Sequence, residues 1–203
     1  MFNYILPLYS VYLYCILTFY DFQKNRNAYI YPDLINKIDN IVYNIFLYMP
    51  LTIYSTLSLF PITVINYNYN IEFVHLFINI IFYDVWFYTI HRLSHYKFYS
   101  IHKQHHEVYN TLGIFALYGH PIDAIFSNIG SIIILHMFMN FSFLHLFIII
   151  TFGLRNTILH SHRNYANDNY HGTHQLHHKR QNCNYGINLF MDRLFNTYLS
   201  DVK

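Results

Sequence analysis

Residues 91–106 read HRLSHYKFYSIHKQHH, and five of these sixteen positions are histidine. They follow directly on residues 71–90, IEFVHLFINIIFYDVWFYTI, a run apolar and long enough to cross a bilayer as a helix. A greasy rod that ends in a cluster of imidazoles decides the reading of the whole chain. Its spacing is regular: His91 and His95 stand at i, i+4, and His102, His105 and His106 at i, i+3, i+4. On a helix both spacings place the rings on one side, within reach of a shared ion.

The pattern recurs near the C-terminal end as HQLHH, with His174, His177 and His178. With 15 histidines in 203 residues, chance gives about 0.08 occurrences of HxxHH, and two together have a probability of about 0.003. A metal site explains them better than scatter. Imidazole suits zinc, copper, nickel and iron alike, so ligand type leaves the metal open. Number narrows it, because one tetrahedral zinc uses four ligands, whereas eight to ten imidazoles fit two metals with positions to spare.

The surroundings of these boxes are those of a membrane protein. The chain is 54% hydrophobic and 21% aromatic with 11% charged residues, too apolar for a soluble domain of this length. Five segments approach a membrane span: 2–20, 41–65 with Pro50 and Pro61 bending or ending it, 71–90, 122–139 and 141–159. The last two, separated near Asn140, read as a tight helical hairpin. All twelve Lys and Arg fall after the first and third segments or at and beyond the end of the fifth. Alternating spans then put every cation on one side, which the positive-inside rule makes cytosolic. The hairpin returns the third box to the face that holds the first two. The expected fold is all-α, a multi-pass membrane helical bundle of about five spanning or re-entrant helices under a cytosolic histidine-rich di-metal cap. Residues 1–70 are expected to be N-terminal membrane anchor helices and 71–203 the histidine-box catalytic region, in one integrated domain.

Other classes are excluded or weakened. No basic stripe marks a nucleic-acid partner. Cys15 and Cys183 form no metal or disulfide pattern. A histidine-rich metal transporter or sensor would place ionisable ligands near mid-membrane, and these clusters lie in polar segments. An inactive scaffold is the third reading.

HRLSH, HKQHH and HQLHH, in this order and separated by a membrane hairpin, resemble the tripartite histidine boxes of the fatty acid hydroxylase and sterol desaturase superfamily. The resemblance covers roughly residues 80–198. It includes Asp84 before WFYTIHR, Glu107 after the second box, the Gly119-His120-Pro121 element, and NYG at 184–186 with Asp192, Arg193 and Phe195. HGTHQLHH followed by NYG is most similar to the sterol C5-desaturase branch. Two positions depart from the family pattern: LHSHR at 159–163, and Asn196 where the family usually carries Gly.

The resemblance implies two iron ions and O2 as co-substrate, acting on a C–H bond of a sterol or fatty-acyl lipid. It implies as ligands His91, His95, His102, His105, His106, His174, His177 and His178, with His160 and His171 as plausible family counterparts. His120 and His162 stand as ligands or as partners of ligands. It further implies an electron donor such as cytochrome b5 with its reductase, and an endoplasmic reticulum membrane. Spans three to five are expected to form a slot leading lipid to the metals. Asp84 is expected either to orient a ligand imidazole or to pair with Arg92. His75, His136 and His145, inside apolar spans, are read as groups that make an interhelical hydrogen bond or sit at the interface.

Overall fold

A computed structural model describes residues 2–24, 32–62, 69–108, 112–139, 141–160 and 173–199. Among the described residues the chain is helical, without strands. Helix α1 (Phe2–Lys24) is an apolar rod with Pro7 in its early turns, where the Ser10 hydroxyl donates to the Pro7 carbonyl at 2.7 Å. Helix α2 (Pro32–Tyr43) runs through a π-helical turn (Asn44–Tyr48) into α3 (Met49–Leu59). The wide turn has a local cause: Pro50 follows it at the start of α3, and a proline cannot donate to the carbonyl four residues back and crowds it. Met49 N–H reaches Asn44 O instead, five residues back.

Helix α4 (Tyr69–Lys97) has 29 residues, so at about 1.5 Å per residue it is roughly 43 Å long and exceeds a hydrocarbon core of about 30 Å. Its last turns, which carry His91 and His95, can therefore stand clear of the lipid. After it come α5 (Tyr99–His102) and two 3₁₀ turns, His105–Glu107 and Gly113–Leu117. The expected hairpin follows. Its first arm is irregular, made of α6 (Pro121–Asp123), a π turn (Ala124–Ile129), α7 (Gly130–Ile133) and a 3₁₀ turn (Ile134–Met137), and its second arm is α8 (Phe143–His160). Short helices α9 (Thr173–Arg180) and α10 (Phe190–Leu194) close the chain.

All five anticipated apolar helices are present, with shifted ends. The second begins well before residue 41, because the amphipathic stretch PDLINKIDNI is helical without being uniformly apolar. The third continues through HRLSH, since histidine does not break a helix. Three helices, Tyr4–Gln23, Ile35–Leu59 and Asn70–Lys97, are long and apolar enough to cross a membrane. The two arms of the hairpin, Pro121–Met137 and Phe143–Ile158, are apolar but shorter.

Helix α1 packs on α3 and α8, and α4 on α7 and α8. One buried core, including Leu6, Ile53, Tyr83, Ile132, Leu146 and Ile149, runs through all of them. The N-terminal helices thus share a core with the histidine region. Gly153 makes the hairpin tight: a Cβ there would lie 2.5 Å from Ile132 Cγ1. Outside this core Leu8, Tyr12, Phe73 and Phe77 are exposed, an apolar belt of the kind that faces lipid.

Polar side chains from the membrane helices hold the segment after the second box. Asn44 Nδ2 donates to the carbonyls of Leu117 (2.6 Å) and Gly119 (3.1 Å), and Asn40 Oδ1 accepts from Gly119 N–H (3.1 Å). Gly119 has φ 147°, a conformation that side-chain-bearing residues rarely adopt. Asp21 accepts from Gly113 N–H at 2.9 Å. Asn44→Ala strands two buried carbonyls and is expected to cost about 1–3 kcal/mol, read as a lowered thermal midpoint in detergent; an unchanged midpoint would contradict the role given to this tether.

Candidate metal centre

The three boxes converge although they arrive on different local structures. His91 and His95 sit one turn apart on α4, and His174, His177 and His178 are all buried on α9. The second box is divided: His102 ends α5, whereas His105 and His106 belong to the next 3₁₀ turn. Its i, i+3, i+4 spacing works across a turn rather than along one helix.

Eight imidazoles gather into two adjacent groups. His91, His95, His102, His106 and His177 bring one nitrogen each to within 4.8 Å of one another, and His105, His174 and His178 form a second set by the same measure. Within the first, Nε2 of His95 lies 3.1 Å from Nε2 of His102, 3.0 Å from that of His106 and 3.1 Å from that of His177. In the second, His174 and His178 bring their Nε2 atoms to 3.0 Å. The groups touch, with ring centroids of His106 and His178 4.5 Å apart.

Outer partners fix which nitrogen faces inward. Nδ1 of His91 donates to Tyr185 O at 2.7 Å, Nδ1 of His177 to Cys183 O at 2.6 Å, and Nδ1 of His105 to Tyr118 O at 2.9 Å. His102 Nδ1 pairs with the Asp123 carboxylate at 2.8 Å, and Ser127 Oγ donates to the other oxygen of Asp123 at 2.9 Å. With the Nδ1 proton committed outward, each of these rings offers a bare Nε2 lone pair inward. Burial, reinforced by the neighbouring imidazoles, holds His106, His177 and His178 far below the usual histidine range and brings His105 down to about 4. These rings are neutral at physiological pH, as metal ligands must be.

This donor set fits metal cations. Lone pairs converging at about 3 Å repel unless a proton or a cation lies between them, and the low proton affinity of these rings disfavours the proton. His91 Nε2 is buried with no hydrogen-bond partner, which costs free energy unless it is a ligand.

The sequence model of the family described as fatty acid hydroxylase matches residues 76–197. The chain belongs to the fatty acid hydroxylase family. It is 33% identical over 129 residues to methylsterol monooxygenase 1 of Danio rerio, covering 56% of this chain and 43% of that protein. It is 39% identical over 59 residues to methylsterol monooxygenase 1 of Gallus gallus, covering 28% and 20%. Fatty acid hydroxylase domain-containing protein 2 of Macaca fascicularis is 49% identical over 47 residues, covering 22% and 14%. The chain thus spans less than half the length of these relatives. Two of the three carry sterol monooxygenase names, in line with the sterol leaning of the resemblance. No solved structure matches the chain.

Within the family region the remaining candidates separate. His120 joins neither group; its Nδ1 accepts from Ile122 N–H at 3.2 Å and caps α6. His160 ends α8, but its side chain, like all of His162 and His171, lies outside the described residues. His136 Nε2 meets Phe60 O at 2.7 Å and His145 Nε2 meets Asn79 at 3.1 Å, interhelical bonds, one of the two roles expected of them.

Asp84 corrects both of its expected roles. It holds neither an imidazole nor Arg92, but accepts from the backbone N–H groups of Asn188 (2.9 Å) and Met191 (3.3 Å). Arg92 donates to Tyr88 Oη at 2.7 Å. Asp192, wholly buried, accepts from the N–H groups of Tyr185 (2.8 Å) and Gly186 (2.6 Å) and from the Thr197 hydroxyl (2.7 Å). The two carboxylates shape the loop whose carbonyls, Cys183 O and Tyr185 O, orient His177 and His91. Asn196, in place of the usual Gly, has φ 55°, a left-handed conformation that Asn tolerates.

Asp123 and Tyr118 escaped the sequence reading. Asp123 stands two residues after the His-Pro element, and that offset was the available signal; Tyr118 acts through a carbonyl, which no side chain advertises. Asp123→Asn is expected to weaken metal binding about 10–100-fold with the helical fold retained, measured by metal titration and circular dichroism; unchanged affinity would contradict its role. The histidines also set a pH dependence. A folded His105 near 4, against about 6.5 for a free ring, contributes stability that is complete above about pH 6.5 and is lost as pH falls toward about 4. Metal-free protein is therefore expected to melt at lower temperature near pH 5 than near pH 7, and an equal midpoint would contradict neutral buried rings.

Proposed function

We propose that the chain is a membrane-bound di-iron oxygenase that hydroxylates or desaturates a sterol or fatty-acyl lipid with O2 and external electrons. The observation that carries the reading is the pair of adjacent, buried, all-imidazole groups in a chain of the fatty acid hydroxylase family. One iron would be held by His91, His95, His102, His106 and His177, and the other by His105, His174 and His178; the family resemblance adds His160 and His171 as further ligands. Iron so bound supplies dioxygen activation, the chemistry that an unactivated C–H bond requires and that no side-chain acid or base provides.

The protein's own part is placement. Tyr185 O, Cys183 O, Tyr118 O and Asp123 each accept a hydrogen bond from an Nδ1–H and aim the opposite nitrogen inward. Burial keeps the rings neutral and excludes water. Helices α1–α3, within residues 1–70, serve as the anchor, and residues 71–203 carry the reaction at the membrane surface. The basic residues beside the boxes favour the cytosolic side, and the family favours the endoplasmic reticulum and a cytochrome b5-like donor with its reductase.

A metal transporter or sensor is less well supported, because the ligands cluster at one end of α4 rather than midway along it. The complete eight-histidine set argues against an inactive scaffold. His105→Ala, in the smaller group, is expected to lose bound iron and lipid oxidation together while membrane insertion persists. Iron analysis and lipid profiling of sterol-desaturase-deficient cells expressing each form check this. Full activity in the variant would overturn the assignment.

A further inference from the structure

We infer that the substrate is an acidic amphiphile, a lipid whose carboxylate or phosphate head is read by Arg92 and Arg180 in a cleft that ends on His95. This rests on the oxygenase reading and narrows its substrate class. The cleft, of about 940 Å³, lies where the end of α4 meets α9 and the C-terminal segment, and its size is that of a small-molecule site, about 300–1,000 Å³. Tyr96, Tyr99, Tyr185 and Phe195 give it aromatic walls. His95 lines it too and is the half-buried member of an otherwise buried five-histidine group, so the cleft opens directly onto the metal centre. A separate gap beside His91, His102, His105 and His174 has about 10 Å³, hardly room for one water.

Arg92 and Arg180 have no carboxylate within ion-pair distance among the described residues, although the buried Asp192 feels the charge of Arg92. Among the described residues the ion pairs are Lys37 with Glu107 and two histidine–carboxylate contacts, so no carboxylate pairs with Arg92 or Arg180. The nearby Asp192 is wholly buried and occupied by Tyr185, Gly186 and Thr197. The contacts that position Arg92 are neutral: its Nη1 donates to Tyr88 Oη, and its guanidinium carbon lies 5.7 Å and 6.0 Å from the ring centroids of Tyr88 and Tyr185. A guanidinium held in place beside apolar walls suits a carboxylate or phosphate, which it binds in fork geometry. The cleft opens at the last turns of the apolar helix Asn70–Lys97, the end that carries Arg92. The head would stay on the two arginines while the apolar portion follows the aromatic wall to His95.

The test uses the full chain, iron-loaded, in detergent, with radiolabelled oleate and its neutral counterpart oleyl alcohol. Oleate is expected to bind the wild type more tightly. Arg180→Gln and Arg92→Gln should each weaken oleate about tenfold, the worth of one charge-assisted contact, and leave oleyl alcohol unchanged, with Arg180→Lys intermediate. Iron content and gel filtration verify that the variants fold; should Arg92→Gln fail to, Arg180→Gln decides. Equal binding of the two ligands, or oleate binding indifferent to Arg180→Gln in the folded variant, would overturn the inference. Displacement of oleate by equimolar acetate or inorganic phosphate would overturn its lipid part, leaving a site for soluble anions. Because binding is read without turnover, it can fail while His105-dependent oxidation of a neutral lipid persists, which removes the acidic head and leaves the oxygenase reading standing.

Discussion

Eight imidazoles brought within touching distance, six of them buried, impose one constraint from which much of the structure follows: the inward nitrogens must offer lone pairs to a cation rather than bind protons. Burial and mutual repulsion keep His105, His106, His177 and His178 neutral. For His91, His177, His105 and His102 an acceptor outside the ring receives the Nδ1–H, so that the inward Nε2 is free for a cation. Tyr185 O, Cys183 O, Tyr118 O and the Asp123 carboxylate are those acceptors, and each is fixed in turn by something further out.

The chain of support runs back to the membrane helices. Asp84 on α4 and Asp192 on α10 hold the loop that presents two of the carbonyls. Asn40 and Asn44, on the second membrane helix, anchor the segment that presents the third. The hairpin of α7 and α8, drawn close at Gly153, packs against α4. Polar side chains in greasy helices, which look costly in isolation, thus serve to hold irregular backbone rigid at the membrane surface.

Much of this was legible from residue spacing. HRLSH and HQLHH sit on helices as their i, i+4 and i, i+3, i+4 spacings require, and the apolar runs located five apolar helices, three of them long enough to cross a membrane. HKQHH met the same spacing by another route, because a 3₁₀ turn can also bring i and i+3 to one side. What could not be read has a physical reason in each case. Helix ends moved because apolarity reports burial rather than hydrogen bonding, as PDLINKIDNI illustrates. The π turn before Pro50 depends on how the backbone relieves one missing donor. Asp84 was misjudged because an intramembrane carboxylate has no visible partner when that partner is backbone amide from residues 188 and 191. The cleft beside His95 is built from three distant segments and leaves no local motif.

The most direct measurement is the anomalous scattering of iron in crystals of the iron-loaded chain. Two peaks are expected, one within about 2.1 Å of nitrogens from His91, His95, His102, His106 and His177, and a neighbouring one within reach of His105, His174 and His178. A single peak shared by both groups, or iron bound away from them, would contradict a two-metal centre built by the three histidine boxes.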